Sequence, residues 1–310
     1  MSGARNISIA ALPLVAGVGI RYGRALREIE QHVIVPPDIP GVVSAIEVDA
    51  GTVTFRVIEG SEGPPLVLLH GWGRSGDSAW WPVLRSTGRT VVCLDLPGHG
   101  ASSLDAPFTF DSAALAVAAV IEHLELDRPT VVGHSMGAAV ALTLMRDSGA
   151  DAFSGLVGIA SSAYWVRPRL WVALAAAPYV LSRRSPVLIN TKRTELRATP
   201  DEAGRIAWEY AARPSQKVLR ESAAELRRFD ARQWADLELP PTAWVVAAED
   251  GIIHPRHQRA SGALLGAEII ELDSEHSVVT EAPDQVLAGL EREWLGPAGV
   301  VDSGSLLDLG

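Results

Sequence analysis

The stretch from Pro129 to Gly137, Pro-Thr-Val-Val-Gly-His-Ser-Met-Gly, leaves this chain few choices of fold. Its first half is apolar and β-branched, the composition of a short buried strand. Its second half, Gly133-His134-Ser135-Met136-Gly137, runs into Ala138 to Met145, which reads as a helix. A strand that turns sharply into a helix around a serine, with glycines two residues away on either side, has the form of a nucleophile elbow. The turn is too tight for side chains on both flanks, and it forces the serine into a strained conformation with its hydroxyl exposed. The helix start behind it offers N–H groups where negative charge would develop.

Strands and helices alternate around this point. Pro36, Pro37 and Pro40 mark a linker. Val42 to Val48 and Thr52 to Ile58 alternate about Asp49-Ala50-Gly51, which predicts a hairpin. Leu66 to Leu69 and Thr90 to Leu96 read as strands, and Phe110 to Leu124 as a helix with Asp111 as its N-cap. Phe153 to Ala160 is the next strand. Alternation then stops. Ser161 to Ala235 reads as several helices, with a capping box at Thr199-Pro200-Asp201-Glu202 and an N-cap at Ser215 opening a helix to about Phe229. It resumes with a strand at Thr242 to Ala248, a helix at Pro255 to Leu265, a strand at Glu268 to Leu272 and a helix at Pro283 to Trp294. Repeated βα units imply a mostly parallel sheet flanked by helices, with a helical cap inserted over its C-terminal edge. The expected organisation is an extension and linker over residues 1–40, a core over 41–160 and 236–296, a cap over 161–235 and a flexible tail over 297–310.

At 310 residues the chain can hold one large domain with an insertion, and 47% hydrophobic against 21% charged residues supply an ample core. The single cysteine, Cys93, lies in an apolar run and reads as buried and inert; it excludes an internal disulfide and a cysteine metal site. A net charge of −10 argues against a nucleic-acid partner. The charge is unevenly spread: residues 161–235 carry a net +7 and residues 1–30 a net +2, which leaves −19 for the rest. Either these regions face an anionic surface, or the basic segment pairs with the acidic body. Ile7 to Ile20 is apolar but short for a membrane span and makes a poor secretory signal. With the basic amphipathic run Arg21 to Glu30, it predicts either a helix docked on the body or peripheral contact with a membrane. The expected location is cytoplasmic, with membrane association left open.

A serine hydroxyl needs a base within hydrogen-bond reach, and that base needs a carboxylate to fix its tautomer. His276, in Asp273-Ser274-Glu275-His276, follows the last strand and is the best candidate base. Asp250 ends the strand before it, and the order Ser135, Asp250, His276 suits a triad. Glu249 is the rival acid but should point the other way. His254 and His257 read as surface residues, and His70, His99 and His134 as structural hydrogen-bonders. The oxyanion donors should be the backbone N–H groups of Met136 and, from the loop after Leu69, of Trp72, whose flanking Gly71 and Gly73 allow close approach.

Taken in order, His70-Gly71-Trp72-Gly73, Asp95-Leu96-Pro97-Gly98-His99-Gly100-Ala101-Ser102, the elbow, Asp250, and His276 with Glu281 and Pro283 give a chain that resembles the α/β-hydrolase family in its serine esterase and lipase branch. The resemblance runs from about Ser44 to Leu295 apart from the cap. One departure is Ala247, where the family often has glycine three residues before the acid. A serine at 135 sets the chain apart from the family's epoxide hydrolases and haloalkane dehalogenases, which use aspartate there. The resemblance implies a serine carboxylic-ester hydrolase, with no metal or organic cofactor. Thioester, lactone or carbon–carbon cleavage, perhydrolysis and acyl transfer stay open on the same machinery, as does a non-catalytic binding module. The aromatic and aliphatic run Tyr164 to Leu181 predicts an apolar pocket for a lipophilic, medium-chain small-molecule ester, with Trp165 and Trp171 as substrate-binding candidates.

Overall fold

The computed structural model describes residues 36–84, 88–164, 214–234 and 237–291, with residues 166 and 208 besides. In chain order its elements are β1 (Val42–Val48), β2 (Gly51–Ile58), β3 (Leu66–Leu69), α1 (Gly76–Trp80), β4 (Val91–Leu94), α2 (Phe110–His123), β5 (Thr130–His134) and α3 (Met136–Ser148). They continue with β6 (Gly155–Ile159), α4 (Gln216–Arg228), β7 (Thr242–Ala247), α5 (Pro255–Leu264), β8 (Glu268–Leu272), α6 (Val278–Glu281) and α7 (Pro283–Glu291). The strands form one sheet in the order β1-β2-β4-β3-β5-β6-β7-β8. The predicted hairpin pairs antiparallel and its second strand runs antiparallel to β4. Every other neighbouring pair is parallel.

The apolar runs explain the sheet. β3 and β4 are buried along their whole length, as strands covered on both faces must be. Alternate residues feed two cores. Val67, Leu69, Val131, Trp244 and Val246 face the layer built on α2 and α3. Leu66, Leu68, Val132, Ala243 and Val245 face the opposite layer, with Trp80, Val279 and Val286. Cys93 belongs to that second core and is buried.

One local expectation is corrected. Thr109, not Asp111, caps α2. Its hydroxyl accepts the Ser112 N–H at 3.0 Å while the Ser112 hydroxyl accepts the Thr109 N–H at 3.2 Å, a reciprocal capping box. Asp111 sits in the first turn instead, exposed and paired with Arg146 at 2.7 Å. Ser215 does cap α4, accepting the Val218 N–H.

The start of the chain (1–35), most of the segment expected to form the cap, the capping box at Thr199-Pro200-Asp201-Glu202, and the tail lie outside the described residues. No helix among the described residues is long and apolar enough to cross a membrane.

Candidate active site

The loops after β3, β5, β7 and β8 all leave the same edge of the parallel sheet, where ligands bind in open α/β folds. The elbow is the sharpest of them. Ser135 has φ +52° and ψ −115°, a conformation that costs an L-residue on the order of 1–3 kcal/mol. Neighbours hold it there. Its N–H donates to the Ile159 carbonyl at 2.9 Å, and its carbonyl accepts the Ser161 hydroxyl at 2.8 Å. Both flanking glycines are obligatory. A methyl group on Gly133 would collide with the Ala138 backbone nitrogen, and one on Gly137 with the Leu69 carbonyl.

The structure brings the three candidate side chains together. His276 Nε2 lies 3.0 Å from Ser135 Oγ, and His276 Nδ1 lies 2.8 Å from Asp250 Oδ2. With the ring neutral, Nδ1–H donates to the carboxylate and Nε2 accepts the serine hydroxyl. Burial alone would lower the His276 pKa, but the charge and hydrogen bond of Asp250 outweigh it and hold the imidazole above its ordinary value.

Asp250 is only 4% exposed, and its anion is fully satisfied. Oδ1 accepts the N–H groups of Ile252 and Ile253 at 2.7 and 2.9 Å. Oδ2 accepts His276 and also the amide of Gln258, 2.8 Å away. Gln258 cannot turn round, because its Oε1 takes the Ala247 N–H at 3.0 Å. Glu249 is exposed.

The loop carrying Trp72 runs directly past the serine. A Cβ built on Gly71 would stand 3.4 Å from Ser135 Cβ and 3.0 Å from His134 Nδ1. His70 braces this loop from below: its Nδ1–H donates to the Gly71 carbonyl at 2.9 Å, and its Nε2 accepts the Leu96 N–H at 3.0 Å. Met136 opens α3, so its N–H is among those at a helix start that have no partner within the helix.

Among the other histidines, His99 is buried with Nδ1 on the Pro97 carbonyl at 3.0 Å, and burial pushes its pKa down to about 4. His254 is exposed and caps α5, while His257 packs against Tyr164. Trp165 and Trp171 lie outside the described residues.

Two contributors carry no assignment from the sequence, Ser161 and Gln258, while His134, expected to be a structural hydrogen-bonder, bonds the His276 backbone. Gln258 carries no local signal, since it reaches Asp250 only because α5 folds back under β7. The Asp250-Gly251 pair did carry one, because aspartate before glycine marks a turn in which the carboxylate takes the following N–H groups.

A mostly parallel sheet, a serine on a strained strand-to-helix turn, and a buried aspartate and a histidine from the loops after β7 and β8 define a class. Residues 66–289 match the alpha/beta hydrolase family, and the chain belongs to it. The chain is 31% identical over 265 residues to the dihydrolipoyllysine-residue acetyltransferase component of the acetoin cleaving system of Pseudomonas putida, covering 77% of this chain and 66% of that one. It is 29% identical over 263 residues to the pimeloyl-[acyl-carrier protein] methyl ester esterase of Neisseria meningitidis, covering 77% and 78% respectively. Other curated relatives are matched over 54% and 30% of their own lengths. Among solved structures, a hydrolase from Pseudomonas aeruginosa PA01 superposes with a TM-score of 0.68 at 25% identity, over 83% of this chain and 99% of its own.

Proposed function

We propose that this chain hydrolyses carboxylic esters through an acyl-enzyme on Ser135. The observation that carries the reading is the continuous hydrogen-bonded run Ser135–His276–Asp250, at 3.0 and 2.8 Å, on a strained elbow. His276 takes the hydroxyl proton as Ser135 Oγ attacks the acyl carbon. Asp250 keeps Nδ1 protonated and stabilises the imidazolium. The N–H groups of Trp72 and Met136 are the proposed oxyanion donors. The imidazolium then protonates the leaving alcohol. Water, deprotonated by His276, adds to the acyl-enzyme, and Ser135 leaves with its proton restored. The methyl ester esterase relative supports an ester as the bond cleaved.

The acyl group is proposed to be lipophilic and of medium length, on the strength of the aromatic and aliphatic run from Tyr164 to Leu181, including Trp165 and Trp171. Burial rewards each added methylene by about 0.8 kcal/mol. Peripheral contact with an anionic membrane is a further part of the reading. It rests on the apolar and basic composition of residues 1–30 and on Lys217, Arg220, Arg227 and Arg228, which are exposed along α4.

A p-nitrophenyl ester series from acetate to dodecanoate, run beside labelling with a serine-directed fluorophosphonate, tests the chemistry. The reading requires label on Ser135 and a kcat/KM that rises from acetate into the medium chains; an acetate optimum would refute the pocket. Absence of binding to anionic liposomes by the full-length protein would refute the membrane contact.

A further inference from the structure

The loop that carries Trp72 has a problem of its own. Glycines on both sides of Trp72, with Gly73 at φ +74°, give its backbone wide conformational freedom. Yet its N–H must stand within a fraction of an ångström of one place if it is to hold an oxyanion. His70 holds the start of the loop through the Gly71 carbonyl, which also accepts the Arg74 N–H at 3.3 Å.

A further anchor is the indole. Trp72 Nε1–H donates to the Leu219 carbonyl at 3.1 Å and to the Ser222 hydroxyl oxygen at 3.0 Å, both on α4, some 150 residues along the chain. Ser222 is fully buried and donates its own proton to the Val218 carbonyl at 2.7 Å, so the lone pairs of its oxygen are what it presents to the indole.

Helix α4 is in turn held to the core. The Glu221 carboxylate accepts the Phe108 N–H at 3.0 Å, and the Glu225 carboxylate accepts the Phe110 N–H at 3.2 Å, both at the start of α2. Val218 and Leu219 are buried beneath it. An unbroken set of contacts therefore runs from the core, through a helix outside the sheet, to the loop that passes the nucleophile.

We propose that Ser222, with the Leu219 carbonyl, is a positioning residue that sets the oxyanion loop through the Trp72 indole. The inference rests on the ester-hydrolase reading above. Indole and backbone N–H belong to one residue, so releasing the ring lets the N–H drift. A displacement of about 1 Å from productive geometry can cost about a hundred-fold in rate, and loss of one oxyanion donor about a hundred- to a thousand-fold.

The test compares Trp72→Phe, Ser222→Ala and the double variant on p-nitrophenyl butyrate. Each is also titrated with an alkylboronic acid, whose tetrahedral adduct on Ser135 puts oxygen where the oxyanion would sit. Glu122→Ala, exposed on α2, is the control and keeps full activity. We expect kcat to fall about thirty-fold for Trp72→Phe and about five-fold for Ser222→Ala, with KM within about three-fold. Boronate affinity should fall in step with kcat/KM. The double variant should be no worse than Trp72→Phe alone, since both remove one contact. Unchanged kcat, a loss confined to KM, or additive losses would overturn the proposal. Should Trp72→Phe fail to fold, Ser222→Ala carries the same test. If the unaltered protein neither turns over the ester nor binds the boronate, the hydrolase reading itself falls, and the positioning role with it.

Discussion

His134 donates from Nε2 to the backbone carbonyl of His276, 2.8 Å away. The residue before the elbow serine thus ties the loop of the candidate base to the strand of the candidate nucleophile. The bond needs a ring with hydrogen on Nε2. Burial, and the neighbouring His276, push the His134 pKa down to about 3, so the ring stays neutral at any ordinary pH. His134→Phe keeps the volume and removes the donor. We expect kcat to fall about ten-fold, because the backbone carrying His276 loses its tie to the elbow strand while Asp250 still holds the ring. His134→Gln, which can donate to the same carbonyl, should recover part of the loss. Equal losses in the two variants would mean that the bond contributes nothing to positioning.

Ser135 allows activity and stability to be separated. Ser135→Ala should cut ester turnover about a million-fold, the loss typical when one member of a triad goes. Its fold should persist, since the hydroxyl faces the site and not the core. Ser135→Gly should be equally inactive but more stable, because glycine occupies φ +52° at no steric cost. The gain should approach 1 kcal/mol, reduced by the greater freedom of glycine in the unfolded chain. Thermal melts of the two variants side by side measure it, and a lower Tm for Ser135→Gly than for Ser135→Ala would contradict strain at the elbow.

Ser135, Asp250 and His276 could be picked out of the sequence because each follows closely on an apolar run. A strand's end is legible from its composition, and the sheet edge follows from the strands. The supporting residues were not legible in the same way. Ser222 meets Trp72 across about 150 positions, and Gln258 reaches Asp250 only through the fold of α5. No periodicity encodes such pairings. The α2 cap was misread at Asp111 for a local reason: Thr109 and Ser112 satisfy each other, and that exchange outweighs the carboxylate two residues on. Where the expected alternation of strands and helices stops, side-chain roles rest on composition alone, as for Trp165 and Trp171, which lie outside the described residues.

The pH dependence of kcat/KM should report His276. Only the neutral imidazole can accept the serine proton, so activity falls as the pH drops through the pKa of this group. Because Asp250 raises that pKa despite burial, the acid limb should lie above 6.5, the ordinary histidine value. In Asp250→Asn the two larger raising influences are gone, while burial and the smaller pull of Glu281 remain. The limb should then move to lower pH, on a residual rate about ten-thousand-fold smaller. Glu249→Gln, altering an exposed side chain, should leave both limb and rate in place. A limb that stays put in Asp250→Asn would mean that another group controls it.

Asp95 supplies a prediction about stability alone. Its Oδ1 accepts the Gly76 N–H at 2.7 Å and its Oδ2 the Ala101 N–H at 2.8 Å, joining the start of α1 to the loop after β4. Burial raises its pKa to about 6, against the lowering effect of those two N–H groups. An unfolded aspartate titrates near 3.9, so between about 4 and about 6 the folded chain binds more protons than the unfolded one. The Asp95 contribution to stability therefore declines as pH rises through that window and is level above it. Asp95→Asn offers one oxygen to two N–H groups. It should cost about 1–3 kcal/mol near pH 5, where the native side chain is protonated and relieved of its buried charge. At pH 8 the wild-type chain carries that charge, so the difference between the two proteins should shrink. Denaturant unfolding of both at the two pH values measures the change, and a gap that widens with rising pH would show that the Asp95 anion is net stabilising.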